Sequence, residues 1–375
     1  MEEPSLRSYR LISADSHVNP PPTFWRDYLP AKFRDEAPRV ETTDEGDFVI
    51  FEGTRKMFGT LGGIGHKDTK DFKHVGKQSD TARGGWDPEV RVSDLDLDGV
   101  DAEVIFGGGP LETQSAELYE ESFHAYNQWL ADFCQHAPDR FLGVAYVPVL
   151  DAERAAQTVR KSVKQGFKGV LIPSFPPAPG EYKGGMMGGD HSRHYCGEEW
   201  KPFWDAVADT GAVLHMHLGA RTVSGIPEMF LTDMLMSKIS MAEPLSLLIF
   251  NGVFERYPQV KLVSVESNIG WFPFAKEYMD KTYEKHRYWT HTELKKLPSE
   301  TWDEHIYATF LHDKAGVALR HQVGVENIMW SSDYPHSETT FPESRKDVEE
   351  HFADVPEDET YKIVCGNAVG LYGLG

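Results

Sequence analysis

Cysteine is scarce. There are three, Cys134, Cys196 and Cys365, far apart and odd in number. That count argues against a disulfide framework and for a reducing, cytoplasmic setting. Long apolar runs are missing, since no stretch approaches the roughly 18 residues a membrane span needs. The opening MEEPSLRSYRLISADSH has no basic region followed by an apolar run, so no signal peptide is expected. Positive charge is in deficit: 38 Lys and Arg face 59 Asp and Glu, a formal net charge of -21. Such a surface repels nucleic acid and anionic membranes, so neither is an expected partner, and it says little about the small-molecule substrate that is expected.

What is present is a core. Apolar residues make up 40% and aromatics 12%, which excludes disorder. Short apolar runs alternate with longer helical patterns. The runs are Arg10 to Ala14, Asp101 to Phe106, Phe141 to Val147, Gly169 to Ile172, Ala212 to His217, Val260 to Glu266, His305 to Phe310 and Asn327 to Asp333. They lack the alternation of a half-exposed sheet and read as buried parallel strands. Helical patterns cover Glu117 to His136, Trp200 to Thr210, Met241 to Tyr257, Phe272 to His286, Lys314 to Val323 and Asp358 to Tyr372, with another helix opened by Asp151 as N-cap. Eight strand–helix repeats in one chain predict a (β/α)₈ TIM barrel, a single domain over residues 1–375. An open doubly wound sheet is the alternative. Its first strand usually ends in a Gly-rich phosphate turn, and here that position reads Asp-Ser-His-Val-Asn-Pro-Pro.

Two segments break the repeat, at about 20–92 and 173–199. Both are rich in Gly, Pro and charge, and both follow a strand. They are expected as insertions on the carboxyl-terminal face, forming a lid or pocket, with a small hairpin at Asp47 to Thr54.

In such a barrel the reacting groups sit where strands end. The first run leads into Asp15 and His17, two apart and so on one side of a strand. A lone D-x-H is weak, and an N-cap Asp beside a satisfied histidine would explain it equally. The fifth ends in His215 and His217. Two buried histidines on one face are hard to explain by packing alone, because both need partners. They read as two ligands, or as one ligand and one substrate contact. The sixth ends in Glu266: a ligand, a base or a salt-bridge partner. The eighth ends in Asp333 with His336 three residues on; Asp333 suits a ligand that also takes a proton from metal-bound water, and His336 a ligand to a second ion, a supporting partner or a surface residue. His66, His74, His191 and His194 fall in the insertions. His286, His291, His321 and His351 read as surface residues. His312 lies on the active face but equally suits a helix cap. Convergence of four strand ends is the argument. A divalent ion held there acidifies its bound water. The carboxylate-rich set favours Mn or Fe, with Zn possible, and Glu266 with His336 would suffice for a second ion.

The motifs I-S-A-D-S-H-V, H-M-H-L-G, E-S-N-I-G-W-F-P and W-S-S-D-Y-P-H together resemble the amidohydrolase-related proteins typified by aminocarboxymuconate semialdehyde decarboxylase. The resemblance runs from about Leu11 to the carboxyl terminus. It implies metal ligation by Asp15 and His17, where the family has H-x-H, then by His215 and Asp333. Glu266-Ser267-Asn268 stands where the decarboxylases carry a histidine followed by glycines. The variant is also similar to a branch including isobutylamine N-hydroxylase, whose members can hold a redox-active dinuclear centre.

The leading expectation is a metal-dependent hydrolase of a small polar or carboxylated compound, with Asp333 managing the proton of metal-bound water, His217 orienting the substrate and Glu266 as a further catalytic group. The alternatives are a non-oxidative decarboxylase on the same scaffold, an Fe or Mn dinuclear oxygen-using enzyme, or a non-catalytic subunit. Trp25, Trp86, Trp289 and Trp302, in loop-like segments, suggest a homodimer or related-subunit oligomer.

Overall fold

The computed structural model describes residues 10–182, 189–219, 221, 223 and 226–374. The amino-terminal segment read above for a signal lies largely outside these, as does 183–188 within the second insertion. Eight parallel strands form one sheet in chain order: β1 Ile12–Val18, β2 Ala102–Gly107, β3 Phe141–Tyr146, β4 Gly169–Leu171, β5 Val213–His217, β6 Leu262–Val265, β7 Ile306–Phe310 and β8 Ile328–Trp330. Just past β8 the chain turns back onto β1. Asp333 N donates to Asp15 O at 3.0 Å and His17 N donates to Tyr334 O at 2.6 Å. This is the (β/α)₈ barrel the alternation predicted, with every residue of β1, β2, β3 and β5 buried.

β1 is irregular where it matters. Ser13 pairs with Glu103 and Ser16 with Ile105, so β1 carries one extra residue between them. A bulge of this kind re-aims a side chain, and Asp15 lies within it. Hydroxyls tie the seam: Ser332 N donates to Ser13 Oγ at 2.9 Å, and Ser13 Oγ donates to Asp15 O at 2.8 Å.

The helices follow from their caps. Asp87 accepts from the Glu89 and Val90 amides to start Pro88–Asp98, and Asp151 accepts from the Arg154 amide to start Ala152–Lys164. Gly211, at φ 68°, ends Lys201–Thr210. The Met241 to Tyr257 pattern is two helices, Ala242–Phe250 and Val253–Arg256, broken at Gly252 in the left-handed region. The carboxyl-terminal pattern passes through a π-helical turn at Lys362–Gly366. Helix Pro227–Ile239 shows no helical periodicity in its sequence, because Leu231 and Leu235 point to solvent and blur any apolar stripe. Trp25 and Trp302 are buried in the core rather than exposed, so they give no support to an oligomer contact; Trp289 alone among the four is strongly exposed, at 71%. Among the described residues no helix is long and apolar enough to cross a membrane.

The segment after β1 builds an antiparallel sheet of Arg39–Thr42, Asp47–Phe51, Thr54–Gly59 and Val75–Gly76. It docks on the loop after β8. Gly65 N donates to Pro335 O at 3.1 Å and Ser337 N to Leu61 O at 3.0 Å. A Cβ at Gly65 would fall 2.0 Å from the His336 carbonyl oxygen, so the approach requires glycine. The insertion thus packs directly against the rim that carries His336.

Candidate metal centre

The strand ends deliver their side chains to one point. His17 Nε2 lies 3.3 Å from Asp15 Oδ1 and 3.2 Å from Asp333 Oδ1. His217 Nε2 lies 3.4 Å from Asp15 Oδ1 and 3.6 Å from Glu266 Oε2. His336 Nδ1 is 3.2 Å from Asp333 Oδ1, and its ring stacks on His17 at 3.7 Å between centroids. The ligand atoms form two overlapping groups, Asp15 with His17, His217 and Glu266, and His17 with Glu266, Asp333 and His336. Within each, all lie within 4.8 Å of one another. Each group could hold an ion, and the two share His17 and Glu266.

The chemistry of these atoms fits a cation. Buried polar atoms are normally paired, yet Asp15 Oδ2, His17 Nε2, Glu266 Oε2 and Asp333 Oδ1 are buried with no hydrogen-bond partner among the described residues. Electrostatics agree. Burial works against charge on His17, but Asp15 and Asp333 outweigh it and raise the imidazole to about 10. Burial works against Asp15 too, and the histidines overcome it, holding its carboxyl at about 2. Asp333 is held well below the carboxylate range by His336 and His17 against the same burial. The site keeps Asp15 and Asp333 ionised and demands positive charge in return.

His215 is not in the cluster. Its Nε2 lies 2.8 Å from the Tyr372 hydroxyl and its Nδ1 3.2 Å from the Val170 carbonyl oxygen. Burial lowers its imidazole to about 4, a neutral packing histidine. The reason is the strand itself: residues two apart are separated by roughly 6.6 Å along β5, so His217 reaches the mouth while His215 sits one layer below. Gly169 makes that layer possible, since a Cβ there would fall 2.3 Å from His215 Cε1. The structure thus places His217, rather than the expected His215, beside Asp15 and Glu266.

The backbone aims these groups. Leu218, Glu266, Asn268 and Asp333 all have φ between 53° and 57°. Left-handed non-glycine residues cost about 1–2 kcal/mol each, and here they cluster where β5, β6 and β8 turn out of the barrel.

Three supporting residues were not found in the sequence. Arg91 is fully buried and forked onto Glu103 at 2.6 and 2.8 Å. It also donates to the carbonyls of His17 at 2.7 Å and Tyr334 at 3.3 Å, holding both sides of the β1–β8 seam. Lys238 reaches from helix Pro227–Ile239 to Glu266 Oε1 at 2.7 Å and Glu338 Oε2 at 3.3 Å. Against burial, the charge of Glu266 raises the Lys238 ammonium, while burial outweighs Lys238 and raises the Glu266 carboxyl. Arg91 lies in a polar helical stretch and Lys238 in a Met- and Leu-rich one, neither with a spacing that marks them, and Glu103 follows an ordinary strand start.

A TIM barrel whose mouth gathers imidazoles and carboxylates in this way is the framework of a metal-dependent enzyme. Residues 14–374 match the amidohydrolase family model, and the chain belongs to the amidohydrolase family. It is similar to gamma-resorcylate decarboxylase of Rhodococcus jostii, at 24% identity over 263 residues, 66% of this chain and 75% of that protein. Among solved structures it is similar to 5-carboxyvanillate decarboxylase from Sphingomonas paucimobilis, with a TM-score of 0.67 and 21% identity, covering 98% of this chain and 100% of that one. It is also similar to dihydroxybenzoic acid decarboxylase from a Polaromonas species, solved with manganese and 2-nitroresorcinol, with a TM-score of 0.63 and 18% identity over 98% of each chain.

Proposed function

We propose that this chain is a metal-dependent, non-oxidative decarboxylase of a small hydroxylated aromatic acid. The relatives favour this alternative over the hydrolytic reading put first from the sequence, since the curated proteins it matches are named decarboxylases. The observation that carries the reading is Asp333, flanked by His17 and His336 in a buried donor set that leaves atoms of Asp15, His17, Glu266 and Asp333 without a hydrogen-bond partner among the described residues.

Asp15, His17, His217 and Asp333 would hold a divalent ion, with manganese the choice suggested by the manganese-bound relative. When bound, the ion supplies Lewis acidity that draws electron density from the substrate's oxygens. The protein's own residues do the rest. Phe106, whose ring centroid lies 5.3 Å from His217 and 6.1 Å from His17, packs against both imidazoles from beneath and holds them in place. Lys238 sets fixed positive charge beside Glu266 and attracts an anionic substrate. The bond from ring carbon to carboxylate breaks, and its electron pair stays on the ring carbon. His336, held 3.2 Å from the Asp333 carboxylate, would give its ring proton to that carbon as carbon dioxide leaves, and would take one back from solvent afterwards.

The test is anaerobic incubation of manganese-loaded protein with a panel of ortho-hydroxybenzoates, following carbon dioxide and the decarboxylated phenol. Stoichiometric release of both is expected. Turnover of esters, amides or lactones with none of the acids would overturn the reading in favour of hydrolysis.

A further inference from the structure

A second group of ligand-type side chains lies outside the centre described above. His312 follows β7, and Asp347 and His351 sit four apart on helix Ser344–His351, hence on one face. One ligand atom from each lies within 4.8 Å of the other two. His312 Nδ1 is 3.4 Å from Asp347 Oδ1. Bonds of about 2.0–2.2 Å to a tetrahedral ion set its donors roughly 3.3–3.6 Å apart, so this edge already has the right length.

A surface ion pair would explain His312 and Asp347 alone. It does not explain the rest. Asp347 Oδ2 and His351 Nε2 are buried atoms with no hydrogen-bond partner among the described residues. The Asp313 backbone lies beside the His351 ring, so the ring is braced on one side while its Nε2 stays unpartnered. Asp313 is itself fixed, capping helix Lys314–Ala318 and accepting from the Ile269 and Gly270 amides at 2.7 Å. His351 is therefore not the surface residue its sequence surroundings suggest.

We propose that His312, Asp347 and His351 form a peripheral divalent-cation site of the zinc class. Two imidazoles and one carboxylate make the donor set, and the half-exposed position of His312 leaves a fourth place for water. Occupancy joins the helix Ser344–His351 to the loop after β7. That loop borders the catalytic rim, since Asn268 Nδ2 donates to the His312 carbonyl at 3.2 Å.

The experiment is zinc titration of the full chain bearing His17→Ala, which weakens the main centre, with and without Asp347→Asn or His351→Ala. One zinc equivalent that both second substitutions remove is expected, together with a zinc-dependent rise in Tm that they also remove. Zinc soaks of wild-type crystals, read by anomalous scattering, give a readout independent of variant folding, and a peak bounded by these three residues is expected. Unchanged zinc uptake in both variants, or no anomalous peak at this position, would overturn the proposal, whatever reaction the main centre performs.

Discussion

Asp333 donates its backbone N–H to the carbonyl of Asp15 at 3.0 Å, while its side chain meets His17 at 3.2 Å. One residue thus helps close the barrel with its main chain and completes the candidate metal centre with its carboxylate. Asp333→Asn keeps the first role and loses the second. Turnover should fall by at least about 10²-fold, the usual contribution of a positioned proton carrier, in protein that circular dichroism shows to be still folded. Retained kcat in the variant would remove Asp333 from the proton pathway.

The two histidines of β5 should separate cleanly. His217→Ala is expected to lower metal occupancy at a stable fold, because its ring meets Asp15 and Glu266. His215→Ala should leave metal content intact and cost about 1–3 kcal/mol of stability, by orphaning the buried Tyr372 hydroxyl. Metal analysis beside chemical denaturation reads both effects, and the reverse pattern would reinstate His215 as the ligand.

This exchange marks the limit of what the sequence carried. The eight strands were legible because parallel strands buried on both faces leave unbroken apolar runs. Asp15, His17, Glu266 and Asp333 were legible because an ionisable group at the end of a buried strand needs a counter-charge. The choice between His215 and His217 depended on a rise of one strand layer and on Tyr372, 157 positions beyond His215. Arg91, Glu103 and Lys238 were invisible for a related reason, since each acts across the chain on backbone or side chains that no local pattern predicts.

Metal binding should depend on pH with a definite sign. Metal-free His17 is raised from 6.5 to about 10, so its protonated form stabilises the fold fully below about 6.5, and that stabilisation is lost as pH rises through about 10. Asp15, lowered from 3.8 to about 2, contributes above 3.8 and stops contributing as pH falls through about 2. A metal must displace the His17 proton. Apparent affinity should therefore rise between about pH 6.5 and 9, by up to about tenfold per pH unit for one proton released. Calorimetry in buffers of differing ionisation enthalpy measures that proton, and flat affinity over this range would contradict the coupling.

Lys238→Met removes the positive charge beside Glu266. If Lys238 attracts a carboxylated substrate, KM should rise by roughly 10- to 100-fold, the worth of a charge-assisted hydrogen bond of about 1.5–3 kcal/mol. Lys238→Arg should recover part of it. An unchanged KM in the Met variant would confine Lys238 to pairing with Glu266 and Glu338.

The Arg91–Glu103 pair offers a test of the scaffold beneath the centre. Glu103→Gln leaves a buried guanidinium without its counter-charge, at a cost of about 3–5 kcal/mol. Urea unfolding measures this directly, and a loss below about 1 kcal/mol would mean that the seam is held by other contacts.

The central claim is that strand ends distant in the chain grip a shared cation. Anomalous diffraction from manganese-loaded crystals tests it most directly. The account predicts a peak within about 2.0–2.3 Å of His17, His217 and Asp333 donor atoms, with His215 still bonded to Tyr372. A manganese ion bound at His215, or no ion between His17 and Asp333, would contradict it.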